Sequence, residues 1–548
     1  MAYDSDGRSD GAGVSLSSGE SAAFSEEERR ALEPYFTNLD RPVFALRNLP
    51  EVVKAALFAR YSRSPKSLRR LFLDEFLDGL PVSAAASAVG VQRSEKLFQR
   101  VLSEYGDDSV AQLGGAHVAV EGASNLLTKV LEWGRLMAYL EQSTRYVPYT
   151  QRDGGQWRYV VPAELEAPEW RARYAACLDA AFEAYSRWID PAVSWLKREM
   201  PAAAAASPAV YEATIRAKAL DALRGLLPAA TRSNVGMFGT GQAYEQLLLR
   251  MRAHPLAEVK ACADELLGEL RQVIPAFLSR VDRPDRGGRT SAYLAGSRAA
   301  IESVAAQMLE QAAPARPEVV LADYDPDGEV KVVAAALYPV SHLPFDELLR
   351  RARSLPTEER ARVLRAYVGD RSGNRRHRPG RAFEHAVYRF DVLTDYGSFR
   401  DLQRHRMLTI EWQAFTREHG YATPPLVEEI GAEDDWHRVM RTSAALFQDL
   451  CAAGRGAVAS YALPMAYRIR FYMALNAREA MHLIELRTTP QGHPSYRRVC
   501  QAMHRLIAAQ AGHAALAEAM VHVDHSAADQ GRLEAERAGE RKQAERLA

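Results

Sequence analysis

Arg404, His405 and Arg406 set three cationic or cation-capable side chains in a row inside LQRHRMLTIEWQAFTREHGY, Leu402–Tyr421. Arginine carries a permanent charge on a planar fork of donors. On an extended turn or a helix end, two such forks grip one flat anionic ligand, a phosphate or the electron-rich edge of a reduced flavin. On a continuous helix, Arg404 and Arg406 would point to different faces. The same residues also read as a solvated basic loop, the ordinary setting of a charge run. Their neighbours favour a site. Glu384 and His385 precede them in RAFEHAVYRF, and Asn476, Arg478, His482 and Arg487 follow in LNAREAMHLIELR. Asn476 and Arg487 are three helical turns apart, so one helix face presents both to one ligand, with Arg478 and His482 flanking.

These residues need a scaffold, and 548 residues suffice for several domains with sizeable cores. The 70 basic and 70 acidic residues cancel, which argues against nucleic acid or an anionic membrane as partner, since both are bound through excess cations. The four cysteines, Cys177, Cys262, Cys451 and Cys500, are scattered without a CxxC pair. That excludes a zinc ribbon and fits a reducing, cytoplasmic setting. No apolar run is long enough for a membrane span. The Ser/Gly-rich start has no signal-peptide core. Residues 1–32 read as a disordered tail and 521–548 as a charged one.

Between the tails the sequence echoes itself. EVVKAALFARYS at Glu51–Ser62 resembles EVKVVAAALYPVS at Glu329–Ser341, and LLP at Leu226–Pro228 with a following LLLRMR parallels ALP at Ala462–Pro464 with a following LIELR. The expected organisation is two copies of one domain, 33–281 and 323–520, joined by a linker with a helix at 282–322. Trp170–Met200 and Ala257–Arg271 carry helical apolar spacing, whereas HVAVEG at His117–Gly122 and AVYRFDVL at Ala386–Leu393 alternate as strands do. The expected class is α+β, each copy a small mixed or antiparallel sheet with long helices.

The second copy resembles the flavin-dependent thymidylate synthases, the ThyX family, whose hallmark is R-H-R-x-x-S-x-N-E-x-S-x-R-Y. It carries R-H-R as Arg404, His405 and Arg406, an upstream E-H at Glu384, and N-x-R…L-R as Asn476, Arg478 and Arg487. Thr409 stands for the first Ser, and the rest of the hallmark is lost. In WGRLMAYLEQSTRYVPY, Trp133–Tyr149, the opposite holds: R-H-R has become Trp133, Gly134 and Arg135, while Glu141, Ser143, Arg145 and Tyr146 remain. Arg224 and Arg252 match two nucleotide-facing arginines, and Gly241 and Ala243 stand where the flavin-side Asn and Arg would be. The resemblance implies FAD on the second copy (Glu384, Arg404, His405, Arg406, Asn476, Arg478, His482). It implies a uracil nucleotide on the first (Glu141, Ser143, Arg145, Arg224, Arg252), with Arg487 as the catalytic cation. It also implies NADPH and methylenetetrahydrofolate as co-substrates, methyl transfer to C5 of dUMP, and a homodimer that imitates the family's tetramer.

No side-chain nucleophile is needed in that chemistry, in keeping with the absence of a well-placed cysteine. Two rivals stand beside this reading: a related C5 transferase on another pyrimidine nucleotide, and a degenerate flavin- or nucleotide-binding protein. VHVDH, Val521–His525, reads as a polar helix end rather than a metal site. GNRRHRPGR, Gly373–Arg381, reads as a basic funnel for anionic ligands. GMFGTGQ, Gly236–Gln242, reads as a helix softened where flavin contacts were lost, not as a phosphate loop.

Overall fold

The computed structural model describes residues 24–40, 44–61, 64, 66–77, 112–201, 207–309, 315–526, 537 and 541. Each repeat is built on one antiparallel sheet. The first has β1 (Gly115–Ser124), β2 (Met137–Glu141), a short hairpin β3 (Arg152–Asp153) and β4 (Gln156–Trp157), and β5 (Arg232–Thr240). The second has β6 (Val319–Tyr324), β7 (Val387–Asp395), β8 (Thr409–Trp412) and β9 (Arg468–Asn476). The strand orders are β1-β5-β2 and β6-β7-β9-β8, so the second sheet is the first with one extra edge strand. This is a tandem duplication of one α+β domain.

Period-two burial explains the strands. Val235 and Met237 of β5 face the helices while Gly236 and Phe238 face outward. Each long strand turns straight into a helix through a capping side chain. Ser124, Thr240, Asp395 and Asn476 accept from the backbone N–H of Leu127, Ala243, Ser398 and Glu479. The β1 strand carries one extra residue at a bulge between Val120 and Ala123, where Gly122 takes a φ of 72° that other residues resist.

The repeats meet across an internal pseudo-twofold axis. Pro228 pairs with Pro464. Ala229 N–H donates to Leu463 O (2.8 Å) and Met465 N–H to Leu227 O (2.9 Å); Ala230 N–H donates to Tyr461 O and Ala466 N–H to Gly225 O, both at 3.0 Å. Each bond is the image of another. The two L-P echoes of the sequence are therefore the seam of the molecule. Helix Pro168–Glu199 lies against helix Glu433–Ala452, with Trp188 and Arg187 bonded to Asp435.

Several sequence expectations change. GMFGTGQ spans a strand end and a helix start: Gly236–Thr240 close central strand β5, Gly241 and Gln242 open helix Gly241–Arg252, and a Cβ on Gly239 would lie 2.9 Å from the Met137 side chain. The echo EVVKAALFARYS and its partner both lie in helices, Glu51–Tyr61 and Gly328–Leu337. The N-terminal tail expected at 1–32 is cut short by a capped helix, Glu26–Leu32, that buries Leu32. The 282–322 segment contains helix Arg289–Met308, but the expected boundary at 323 falls inside β6, because Val319 already pairs with Val392. The C-terminal segment expected to be free from 521 is packed as far as 526: Gln501 Nε2 donates to Asp524 O at 2.9 Å and Arg497 to Ser526 O at 3.0 Å.

Candidate active site

Strand pairing fixes which residues of the two repeats correspond. Ala138 pairs with Phe238, and Thr409 with Ala474; Phe238 and Ala474 sit equally far before the caps Thr240 and Asn476. Trp133, Gly134 and Arg135 therefore take the places of Arg404, His405 and Arg406, and Glu141 that of Trp412. Counting from the caps, Met251 rather than Arg252 corresponds to Arg487. The pairing of Arg252 with the family arginine is thus one residue out of register, and so are those of Gly241 and Ala243, since Thr240 stands where Asn476 does and Gln242 where Arg478 does. Arg252 leaves the cluster and forms an ion pair with Asp264.

Four arginines converge from both repeats. Arg145 holds Asp221 through two bonds of 2.6 and 2.7 Å, and reaches into the second repeat to Tyr496 Oη and Gln491 O, both at 2.9 Å. The buried Asp401 gathers Arg224 of the first repeat (3.4 Å), Arg404, and Arg487 (3.8 Å) of the second. Burial works to raise the Asp401 carboxyl, but Arg404, Arg224, Arg487 and Arg145 outweigh it and hold it well below the usual carboxylate range. Four guanidiniums thus face two carboxylates, leaving an excess of two positive charges. Two buried donors of the cluster, Arg224 Nη2 and Arg404 Nε, have no protein partner. Arg404, expected beside the flavin-side residues, lies in this cluster next to Arg224.

Glu141 is already engaged. Its carboxylate accepts from Arg400 at 2.7 Å and from Lys129 at 3.4 Å, both buried. Burial would raise it, but Arg400, Lys129 and Arg404 bring it down to about 2. It braces the two repeats against each other. Ser143 Oγ accepts from Arg145 N–H at 3.2 Å, shaping the turn that presents Arg145.

The remaining residues lie around His405. Its Nδ1 faces Glu479 Oε1 at 3.3 Å and its Nε2 accepts from Arg487 Nε at 3.0 Å. His482 Nδ1 meets Arg378 Nη2 at 2.8 Å, which brings the basic loop 373–381 to the site. Arg478 bonds Pro379 O and approaches Glu384 at 3.7 Å; Asn476 caps their helix. Arg406 reaches across to Met137 O, as Arg135 reaches back to Thr409 Oγ1 at 2.8 Å. His405, Glu479 and His482 each offer a donor atom within 4.8 Å of the others. Burial, then Arg378, Arg375 and Arg487, push His482 down to about 4. The histidines of VHVDH serve the packing: His522 Nε2 bonds Arg371 O at 2.7 Å.

Sequence reasoning missed Asp401, Asp221, Arg400, Glu479 and Tyr496. Asp401 alone left a signal, one helical turn before Arg404. The others become neighbours only through the fold.

A family model described as thymidylate synthase complementing protein matches residues 52–276 and 320–511, once on each repeat. The chain belongs to that family. Among proteins similar to this chain is a UPF0159 protein of Chlamydia muridarum, 38% identical over 521 residues, covering 94% of this chain and 98% of that protein. A UPF0159 protein of Thermoplasma acidophilum is 29% identical over 518 residues, covering 88% of this chain and 97% of that protein. A flavin-dependent thymidylate synthase of Clostridium tetani is 26% identical over 200 residues, 34% of this chain and 74% of that protein. The full-length relatives share the duplicated length, whereas the Clostridium enzyme aligns with a single stretch. Among the described residues of this family member, no helix is long and apolar enough to cross a membrane.

Proposed function

We propose that the chain is a flavin-dependent thymidylate synthase-like enzyme that transfers a one-carbon unit reductively to C5 of a uracil nucleotide, dUMP, in the cytoplasm. FAD is the cofactor, and NADPH and methylenetetrahydrofolate are co-substrates. One observation carries this reading: Arg145 and Arg224 of one repeat and Arg404 and Arg487 of the other converge on two carboxylates, Asp221 and Asp401, and concentrate positive charge between the repeats. A nucleotide phosphate dianion neutralises it, and the unpartnered Arg224 and Arg404 donors suit its oxygens.

His405, Arg406, Arg478 and His482, with Asn476 at the helix start and Glu384 beside Arg478, would hold FAD. The fit rests on local potential: Arg378, Arg478 and Arg406 act on Glu479, and Arg378, Arg375 and Arg487 act on His482. Such a cationic pocket suits a diphosphate cofactor. When bound, FAD supplies hydride chemistry. Arg487 stands between Asp401 and His405, where its charge stabilises a pyrimidine carbonyl as that oxygen becomes electron-rich. His405 accepts the Arg487 N–H and fixes its plane.

A second copy of the chain covers the outward sheet faces, where Leu140 and Phe238 of one repeat and Val387 and Tyr472 of the other are exposed. The resulting homodimer is a pseudo-tetramer. The test is direct. Purified protein carries FAD, seen in its visible absorbance, and releases tritium from 5-labelled dUMP when given NADPH and methylenetetrahydrofolate. Colourless protein that takes up no FAD would sink the reading.

A further inference from the structure

A cavity of 390 Å³ lies between the repeats, beside the arginine cluster but outside it. It sits where the first repeat has lost the polar trio of the second. Gly134 replaces His405, and, counting from the caps Thr240 and Asn476, Ala243 replaces Glu479 and Gln246 replaces His482. All three replacements line the cavity. Side-chain volume has been removed at this wall.

The wall is polar in a specific way. Three of its residues each hold a buried polar atom without a protein partner: Glu132 Oε1, Gln403 Oε1 and Arg250 Nε. Their other atoms are fixed. Glu132 is paired through its second oxygen to Lys129. Gln403 Nε2 donates to Lys129 O at 2.7 Å, which orients the amide and leaves its oxygen over. Arg250 stands 5.5 Å above the ring of Trp133, whose Nε1 is anchored on Ile410 O at 3.0 Å. Buried polar atoms are normally satisfied. Here two acceptors and one donor remain, beside an indole and the apolar side chains of Met137 and Leu408.

We propose that this cavity is a second ligand subsite that takes a planar heterocycle with an imide edge, whose N–H meets Gln403 or Glu132 and whose carbonyl meets Arg250. The isoalloxazine of a flavin and the base uracil both carry that edge. His405 and Arg406 also line the cavity, which favours the flavin ring, and that choice rests on the function proposed above. His405 separates the subsite from Arg487, so a ring here adjoins a nucleotide held by the arginine cluster. The residues assigned are new to the site: Arg250 has no counterpart in the second repeat, where Leu486 stands.

Lumiflavin, a flavin ring without phosphates, and uridine, a base without phosphate, are the probes. Each is titrated into the apoprotein and into Arg250→Met, Gln403→Leu and Ala243→Phe variants whose melting temperatures match the parent. The expected result is lumiflavin binding that weakens about tenfold in Arg250→Met or Gln403→Leu, the scale of one lost hydrogen bond to a charged or buried group, and that disappears when Ala243→Phe fills the space. Uridine binding with this same sensitivity keeps the subsite and assigns it to the base. If neither probe binds, or binding ignores all three variants, the subsite is overturned. Full-length FAD and dUMP are titrated in parallel: loss of FAD and dUMP binding from the parent strikes the proposed function, whereas retained binding of both with insensitive ring probes strikes only the subsite.

Discussion

Arg145 of the first repeat and Arg487 of the second stand on one aromatic ring, their guanidinium carbons 5.8 and 5.4 Å from the centroid of Tyr496. Neither repeat alone can form this arrangement. It joins the remaining half of one motif to the remaining half of the other, inside one chain.

Nucleotide binding should stop at one dUMP per chain. The pseudo-twofold counterparts of Arg404, Asp401, Arg487 and Arg145 are Trp133, Val130, Met251 and Thr416, none of them charged. Equilibrium dialysis reads the number directly, and two nucleotides per chain would contradict the asymmetry.

Asp401→Asn should destabilise the unliganded protein by about 3–5 kcal/mol, because Arg224, Arg404 and Arg487 then repel one another without a shared counter-charge. A bound anion replaces the lost charge. Inorganic phosphate should therefore raise the melting temperature of Asp401→Asn more than that of the parent, and calorimetry with and without phosphate checks it.

Arg145→Ala should weaken dUMP binding about 10- to 100-fold, the scale of one or two charge-assisted hydrogen bonds, and leave FAD binding in place. Isothermal titration with each ligand separates the two. Since Asp221 is stranded by this change, the double variant Arg145→Ala with Asp221→Asn should recover stability without recovering nucleotide affinity.

Glu141→Gln should cost about 3–5 kcal/mol, because Arg400 and Lys129 keep their charges in a buried place. The Glu141 carboxyl titrates near 2 in the fold, below its ordinary value of 4.5. Its stabilisation is therefore present above pH 4.5 and lost as pH falls towards 2. Urea unfolding of Glu141→Gln and of Glu141→Gln with Arg400→Met, compared across that range, measures the coupling.

Glu479 works in the other direction. Burial raises its carboxyl to about 7 despite Arg378, Arg478 and Arg406. A raised carboxyl stabilises the fold below its unfolded value of 4.5 and loses that contribution as pH rises to 7. Relative to the parent, Glu479→Gln should gain stability between pH 4.5 and 7, by up to about 3 kcal/mol, measured as a shift in urea midpoint at pH 5 and pH 8.

The sequence by itself determined the duplication, the α+β class and the family. Alternating apolar residues specify β1 and β7, and capping residues specify the strand-to-helix turns, because both act through near neighbours. The register of Trp133–Arg135 on Arg404–Arg406 was also legible, since both triplets lead into equivalent edge strands. Only the tertiary structure decided where charge is compensated. Glu141, which the resemblance placed among the nucleotide's residues, is a buried brace, because its partner Arg400 arrives from the other repeat. Arg404 joins the arginine cluster because Asp401 pairs with it and with Arg224 there. Arg252 fell out of register because the helix is counted from the cap Thr240, which only strand pairing aligns with Asn476. Ion pairs over such separations are set by packing across the Pro228–Pro464 seam, and no local sequence pattern encodes which cation faces which carboxylate.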